Sequence, residues 1–166
     1  MKRSIVWTLF LVAMLSLSLA AAAKENEKIH GYKCSAAKVA GTWGYSETGT
    51  MYLPAALAGV LGLPEGPNPY ASVGSYTLDR DGNVSGERNA SLGGVTLNAT
   101  ITGNATVNPD CTGTVILYFN NGSAGWAEKF IVYVDSAKEA NMIVTDVPYP
   151  AVLTTNAKKI SPGHGN

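Results

Sequence analysis

Charged side chains are scarce in this sequence, and neither sign is in excess. They make up 14% of the 166 residues, with 12 Lys and Arg against 12 Asp and Glu. A surface that binds nucleic acid needs clustered Lys and Arg to neutralise phosphates, so no nucleic-acid partner is expected. Hydrophobic residues nevertheless make up 46% of the chain, which argues against disorder. The length suits a single folded domain.

Sequence signatures of nucleotide, metal and hydrolytic chemistry are also lacking. The chain contains no P-loop, G-x-G-x-x-G, H-E-x-x-H or G-x-S-x-G motif. Its two His and two Cys do not have the spacing of a metal site. His30 and His164 fall in polar end segments, which argues against a Ser-His-Asp site. The sequence therefore predicts no cofactor, no metal and no catalytic residue. An enzymatic role stays open, but a non-enzymatic one is favoured.

The first 23 residues have the three parts of a secretory signal peptide. Lys2 and Arg3 give a positive start, residues 5–19 form an apolar run, and small residues allow cleavage near Ala23. The run is short for a membrane span, and an uncleaved N-terminal anchor is the alternative. We therefore expect a secreted or periplasmic protein with no membrane span after cleavage.

Export also bears on the two cysteines, Cys34 and Cys111. An oxidising compartment favours a disulfide between them, and two buried free thiols are the alternative. Closing so long a loop contributes about 4 kcal/mol in the chain-entropy model.

Apolar and polar residues alternate along most of the chain beyond residue 38, which is the signature of half-buried strands. Between Val95 and Asn104, every second residue is apolar and the residues between are Thr or Asn. A strand with one apolar face and one polar, solvent-facing side indicates an antiparallel sheet. The predicted strands cover residues 42–52, 71–79, 83–92, 95–104, 112–119, 126–135, about 141–146 and 151–159.

Short connections rich in Gly, Asn and Asp separate these segments and indicate hairpins, as at Asp81-Gly82. About eight such strands predict an all-β, antiparallel up-and-down barrel, with a two-sheet sandwich as the alternative. Residues 53–70 break the pattern and predict a short helix or apolar flap followed by a Pro/Gly loop. That segment could be a lid over the barrel mouth or, as we favour, a plug that closes it. The expected organisation is a signal helix over residues 1–23, a flexible segment over 24–37, the barrel over 38–160 and a disordered tail over 161–166.

Three charged residues share strand faces with apolar ones. Glu47 lies in step with Trp43 and Tyr45, Arg88 with Val84, Ala90 and Leu92, and Glu128 with Trp126 and Phe130. If these faces point into the barrel, each charge must be paired or hydrated. Such a group could orient the polar end of a ligand or act as an acid or base. A register slip of one residue would instead turn it to solvent.

Several segments resemble a known group of proteins. Residues 41–45 (Gly-Thr-Trp-Gly-Tyr), 73–86 and 106–114 are similar to small exported bacterial proteins of uncharacterised function with a calycin-like or allene-oxide-cyclase-like barrel. Gly41-Thr42-Trp43 matches the G-x-W that opens lipocalins, and residues 145–149 match their T-D-x-x-Y. The resemblance implies that Trp43 closes the barrel floor, with Lys158 and Lys159 where lipocalins place an Arg over it.

The sequence thus favours an exported barrel that binds a small hydrophobic ligand. The candidate ligand-binding residues are Trp43, Tyr45, Glu47, Tyr76, Arg88, Glu128, Phe130 and Val132. One alternative, implied by the resemblance, is an isomerase or cyclase similar to allene oxide cyclases and dirigent proteins. Another is a non-catalytic envelope or interaction module with a closed core and no ligand.

Overall fold

The computed structural model of the protein describes residues 32–162. The predicted signal peptide, residues 24–31 of the predicted flexible segment and residues 163–166 of the predicted tail lie outside these described residues. Within 32–162, no helix is both long enough and apolar enough to cross a bilayer.

Within the described residues, eight strands pair in chain order, and the barrel closes because β8 also pairs with β1. Every strand is antiparallel to its neighbours. The strands are β1 (Gly41–Leu53), β2 (Gly66–Leu78), β3 (Asn83–Leu92), β4 (Val95–Val107), β5 (Thr112–Phe119), β6 (Trp126–Val134), β7 (Glu139–Asp146) and β8 (Ala151–Pro162). The helices are α1 (Ala36–Val39), α2 (Ala55–Leu61) and a 3₁₀ turn (Asp135–Ala137). The predicted up-and-down barrel is confirmed, and the sandwich is excluded.

On several strands, the apolar residues of the alternating pattern are the ones that point into the barrel. On β3, Val84 and Leu92 are buried, whereas Ser85 and Ser91 are exposed. Because successive side chains of a strand point to opposite faces, Arg88 lies on the inner face with the buried residues. The same agreement between pattern and burial holds on β1 and β5.

Strand β2 begins earlier than the sequence predicts. The segment read as a Pro/Gly loop becomes strand from Gly66 onward. Over its first residues, β2 pairs with β1 alone, because its pairing with β3 begins at Tyr70. A strand with a free side tolerates proline, so Pro67 and Pro69 do not interrupt it.

The two ends of the barrel differ. At the end that we call the floor, Trp43 is fully buried, and its indole Nε1 donates a hydrogen bond of 3.0 Å to the carbonyl of Val39. The Lys159 ammonium lies 5.2 Å from the Trp43 ring centroid and donates hydrogen bonds to the carbonyls of Lys38 and Ala40. A cation over an aromatic face is stabilising. Lys159 therefore lies over the buried Trp43 ring at the floor of the barrel.

A disulfide joins Cys34 to Cys111 and confirms the predicted pairing. It ties the segment that precedes α1 to the turn between β4 and β5, and the Cys34 amide also donates to the carbonyl of Pro109. The two connections hold α1 against the floor end of the barrel.

The opposite end, which we call the mouth, carries α2 between β1 and β2. The helix follows Pro54 and ends at Gly62, whose φ of 68° is the left-handed conformation that favours glycine. Ala58 is buried, and Leu57 and Leu61 pack with it against apolar residues of the strands. The apolar face of α2 therefore covers part of the mouth.

Candidate functional site

A cavity of about 580 Å³ occupies the mouth half of the barrel. Its walls are mainly apolar and include Met51, Leu57, Leu61, Leu92, Leu97 and Leu153. Trp126 and Tyr149 also border it. Helix α2 contributes two of these leucines as wall, and it leaves the space beneath open. The plug that we expected for this segment is thus corrected to a partial cover.

The floor half, by contrast, is filled with side chains. A residual cavity of about 20 Å³ remains there, which is roughly room for one water molecule. The rings of Trp43 and Tyr76 stack with centroids 6.4 Å apart, and those of Tyr45 and Tyr76 lie 6.0 Å apart. These three aromatic residues do not border the large cavity. They were predicted to line a ligand, and the structure places them in the packed core.

A buried polar network separates the two halves. Glu47 on β1 and Lys129 on β6 form an ion pair, and each side chain is 4% exposed. The Thr155 hydroxyl donates to Glu47 Oε1 over 2.9 Å and accepts from Lys129 Nζ over 3.0 Å. Ser72 donates to the other carboxylate oxygen of Glu47 over 3.3 Å. Because both charges are paired and hydrogen-bonded, the barrel can hold them away from water.

Arg88 is the third charged side chain of the interior, and it borders both cavities. Its guanidinium carbon lies 3.8 Å from the ring centroid of Phe119. Its Nη1 donates to the hydroxyl of Tyr70 over 3.3 Å. Among the described residues, no carboxylate forms an ion pair with Arg88, and its buried Nε has no hydrogen-bond partner.

The facing predicted for β6 is wrong. Its buried residues are Ala127, Lys129, Ile131 and Tyr133. Phe130 is 40% exposed and Val132 38% exposed, so both lie on the outer surface, and Glu128 shares their face. None of the three borders the cavity in the mouth half of the barrel.

The error on β6 has a physical cause. Both faces of this strand are largely apolar, so alternation does not distinguish inside from outside, and a bulge between Glu128 and Lys129 shifts the pairing with β7. The face that points inward carries Lys129, and lysine is a residue type that is rarely buried without a partner. Its partner Glu47 lies 82 residues away in sequence, and no local signal in the sequence reveals the pairing.

Burial raises the pKa of the four tyrosines inside the barrel. Loss of contact with water is the largest cause at Tyr45, Tyr70 and Tyr76, and it raises the pKa of Tyr133 to about 12. At Tyr45 and Tyr70, the negative charge of Glu47 raises the pKa further, while Arg88 lowers it. All four phenols therefore stay protonated near neutral pH.

These raised pKa values predict unfolding at alkaline pH. An unfolded chain releases tyrosine protons near pH 10, whereas folded Tyr133 keeps its proton to about pH 12. The unfolded state then binds fewer protons than the folded state, so the stability is complete below pH 10 and is lost as pH rises toward 12. Denaturant unfolding, followed with tyrosinate absorbance, should show the midpoint falling across this range. A Tyr133→Phe variant should show a shallower fall, and a midpoint independent of pH would contradict the assignment.

Comparison with known proteins places the fold but not a family. No protein-family model matches the chain, and no curated protein matches it. Among solved structures, it is similar to a redesigned β-barrel, b11L5F_LGL, with a TM-score of 0.49 and 12% identity over 75% of this chain and 94% of that one. It is also similar to EF1p2_mFAP2b bound to DFHBI, with a TM-score of 0.50 and 12% identity over 76% of this chain and 99% of that one. At this identity, the second likeness supports the barrel fold alone.

Proposed function

We propose that this protein is an exported barrel, of the calycin-like type that its sequence resembles, that binds a small and mainly apolar molecule in the mouth cavity. The observation that carries the proposal is the cavity itself. Its volume of about 580 Å³ lies within the range of about 300–1,000 Å³ typical of sites for small molecules. Its apolar walls and few polar groups are the usual composition of such sites.

The disulfide supports the export part of the proposal. Disulfides persist in oxidising compartments and are rare in the cytosol. The Cys34–Cys111 bond therefore agrees with the signal peptide proposed for residues 1–23. A secreted or periplasmic protein would meet its ligand outside the cytoplasm.

The large cavity favours ligand binding over the interaction module, which predicted a core without a cavity. The cyclase alternative gains no specific support, because a carboxylate that acts as an acid or base must be free to exchange a proton with the substrate. Glu47 is already engaged by Lys129, Ser72 and Thr155. Glu128 lies on the outer face of β6. Binding without chemistry is therefore the function that the cavity supports best.

Titration with the neutral apolar dye Nile red tests this proposal. We expect saturable binding of one dye per barrel, with the blue-shifted emission of an apolar site, and competition by dodecan-1-ol. Emission that rises without saturation, or that dodecan-1-ol does not reverse, would contradict a defined site.

A further inference from the structure

We infer that the mouth cavity takes an amphipathic carboxylate, with the carboxylate group on Arg88 and the apolar chain against the leucines of the mouth. The inference rests on the proposed function and deepens it by naming the ligand's charged group. Among the described residues that line the two cavities, Glu47 contributes one negative charge, and Lys129 and Arg88 contribute two positive charges. One positive charge is therefore left over.

The surplus charge belongs to Arg88. Lys129 and Glu47 are engaged with each other and with Thr155. Among the described residues, Arg88 has Tyr70 as its hydrogen-bond partner and Phe119 as its stacking partner, and neither carries a negative charge. A guanidinium does not shed its proton in a protein. The charge must therefore be balanced by water or by a bound anion.

The hydrogen-bonding capacity of Arg88 also remains unfilled. A guanidinium has five N–H donors, and one bond, from Nη1 to Tyr70, is present. The buried Nε has no partner, although buried polar groups are almost always hydrogen-bonded. A carboxylate can accept two parallel N–H bonds from a guanidinium, and it would also balance the charge of Arg88.

The surroundings of Arg88 narrow the class of anion. A single surplus positive charge matches a singly charged group, whereas a phosphate monoester would bring additional negative charge close to Glu47, which also borders the cavity. Most of the remaining cavity wall is apolar, with leucines and aromatic residues that suit a hydrocarbon chain. Together these features favour a fatty-acid-like monocarboxylate over a neutral lipid or a phosphate.

Displacement of Nile red by ligands with the same chain and different head groups tests the inference. At neutral pH, we expect dodecanoate to bind at least about ten-fold more tightly than dodecan-1-ol, because hydrogen bonds to charged groups are the stronger ones. Dodecyl phosphate should bind more weakly than dodecanoate, and dodecylamine should bind most weakly. Equal affinity for dodecanoate and dodecan-1-ol would overturn the inference, as would a preference for dodecyl phosphate or dodecylamine.

Variants then assign the preference to Arg88. In Arg88→Gln, dodecanoate and dodecan-1-ol should bind with about equal affinity. In Arg88→Lys, part of the preference for dodecanoate should remain. The matched control is Arg80→Gln, which removes an exposed arginine from the turn between β2 and β3 and should keep the full preference. A preference that survives in folded Arg88→Gln would overturn the inference. If that variant does not fold, the head-group series on the unaltered protein and on Arg88→Lys decides.

The two proposals fail in different ways. If Nile red and dodecan-1-ol bind with saturation but dodecanoate has no advantage, the carboxylate inference fails and the apolar site stands. If none of the three compounds binds with saturation, the proposed function itself fails.

Discussion

Replacement of Lys129 with Met is expected to lower the free energy of unfolding by about 3–5 kcal/mol, the usual result of removing one partner of a buried ion pair. The substitution preserves the approximate volume of the side chain and leaves Glu47 charged inside the barrel. Glu47 would keep hydrogen bonds from Ser72 and Thr155, but it would have no cation beside it.

The double variant Glu47→Gln/Lys129→Met should recover most of that loss. The glutamine amide oxygen can still accept from the Thr155 hydroxyl, its amide nitrogen can donate to the Ser72 hydroxyl oxygen, and no buried charge remains. Replacing both members of a buried pair is often close to neutral, so the two substitutions should be strongly non-additive in urea unfolding experiments. Additive losses would show that the pair does not act as a unit.

A surface ion pair provides the matched control. Lys158 and Glu139 lie 2.9 Å apart, and their side chains are 76% and 41% exposed. Lys158→Met makes the same chemical change as Lys129→Met, and it should leave the unfolding midpoint nearly unchanged because water screens the pair. A loss as large as that for Lys129→Met would show that burial is not the cause.

Narrowing the mouth cavity is expected to weaken ligand binding while the barrel stays folded. Ala99 and Leu97 both border the cavity from β4, and the double variant Ala99→Phe/Leu97→Trp places two larger aromatic side chains into that space. The cavity can accept them with less strain than a packed core would. The affinity for Nile red should fall at least about ten-fold, which corresponds to about 1.4 kcal/mol of binding free energy.

The control for this variant introduces an aromatic side chain outside the barrel. Val73 on β2 is 57% exposed, and Val73→Trp should leave the affinity for Nile red unchanged. Circular dichroism and thermal unfolding would establish that both variants keep the barrel. Undiminished dye binding in the folded cavity variant would show that the dye binds elsewhere.

The sequence predicted the barrel well because most strands have one apolar and one polar face. The alternation over β3 and β4 and the Asp-Gly turn at Asp81-Gly82 are local signals, and the structure bears them out. The disulfide was predictable because the sequence offers two cysteines and the segment at its start indicates export. The G-x-W segment also indicated that Trp43 would close one end. The proline-containing start of β2 was not predicted. Proline is tolerated there because β3 does not pair with these residues, and the sequence alone does not show where the pairing of two strands begins.

The site was less predictable, because it depends on which residues meet across the barrel. The alternating pattern correctly predicted that Glu47 and Arg88 point inward. It could not show that Glu47 forms an ion pair and that Arg88 has none among the described residues. It also could not show that side chains fill the floor half while the mouth half stays open. Leu57 and Leu61 line the cavity only because α2 packs back over the mouth, and this packing is a tertiary event without a local signature.

If an apolar ligand enters the mouth cavity, it should contact Trp126 and change the fluorescence of that residue. Trp126 borders that cavity, whereas Trp43 is sealed in the floor. A dodecan-1-ol derivative with a bromine on its chain quenches tryptophan emission on contact. Titration with it should quench the emission to saturation, and the quenching should disappear in a Trp126→Phe variant, which keeps the buried Trp43. Quenching of the same size in the variant, or no saturable quenching in the unaltered protein, would show that the ligand does not occupy the mouth cavity.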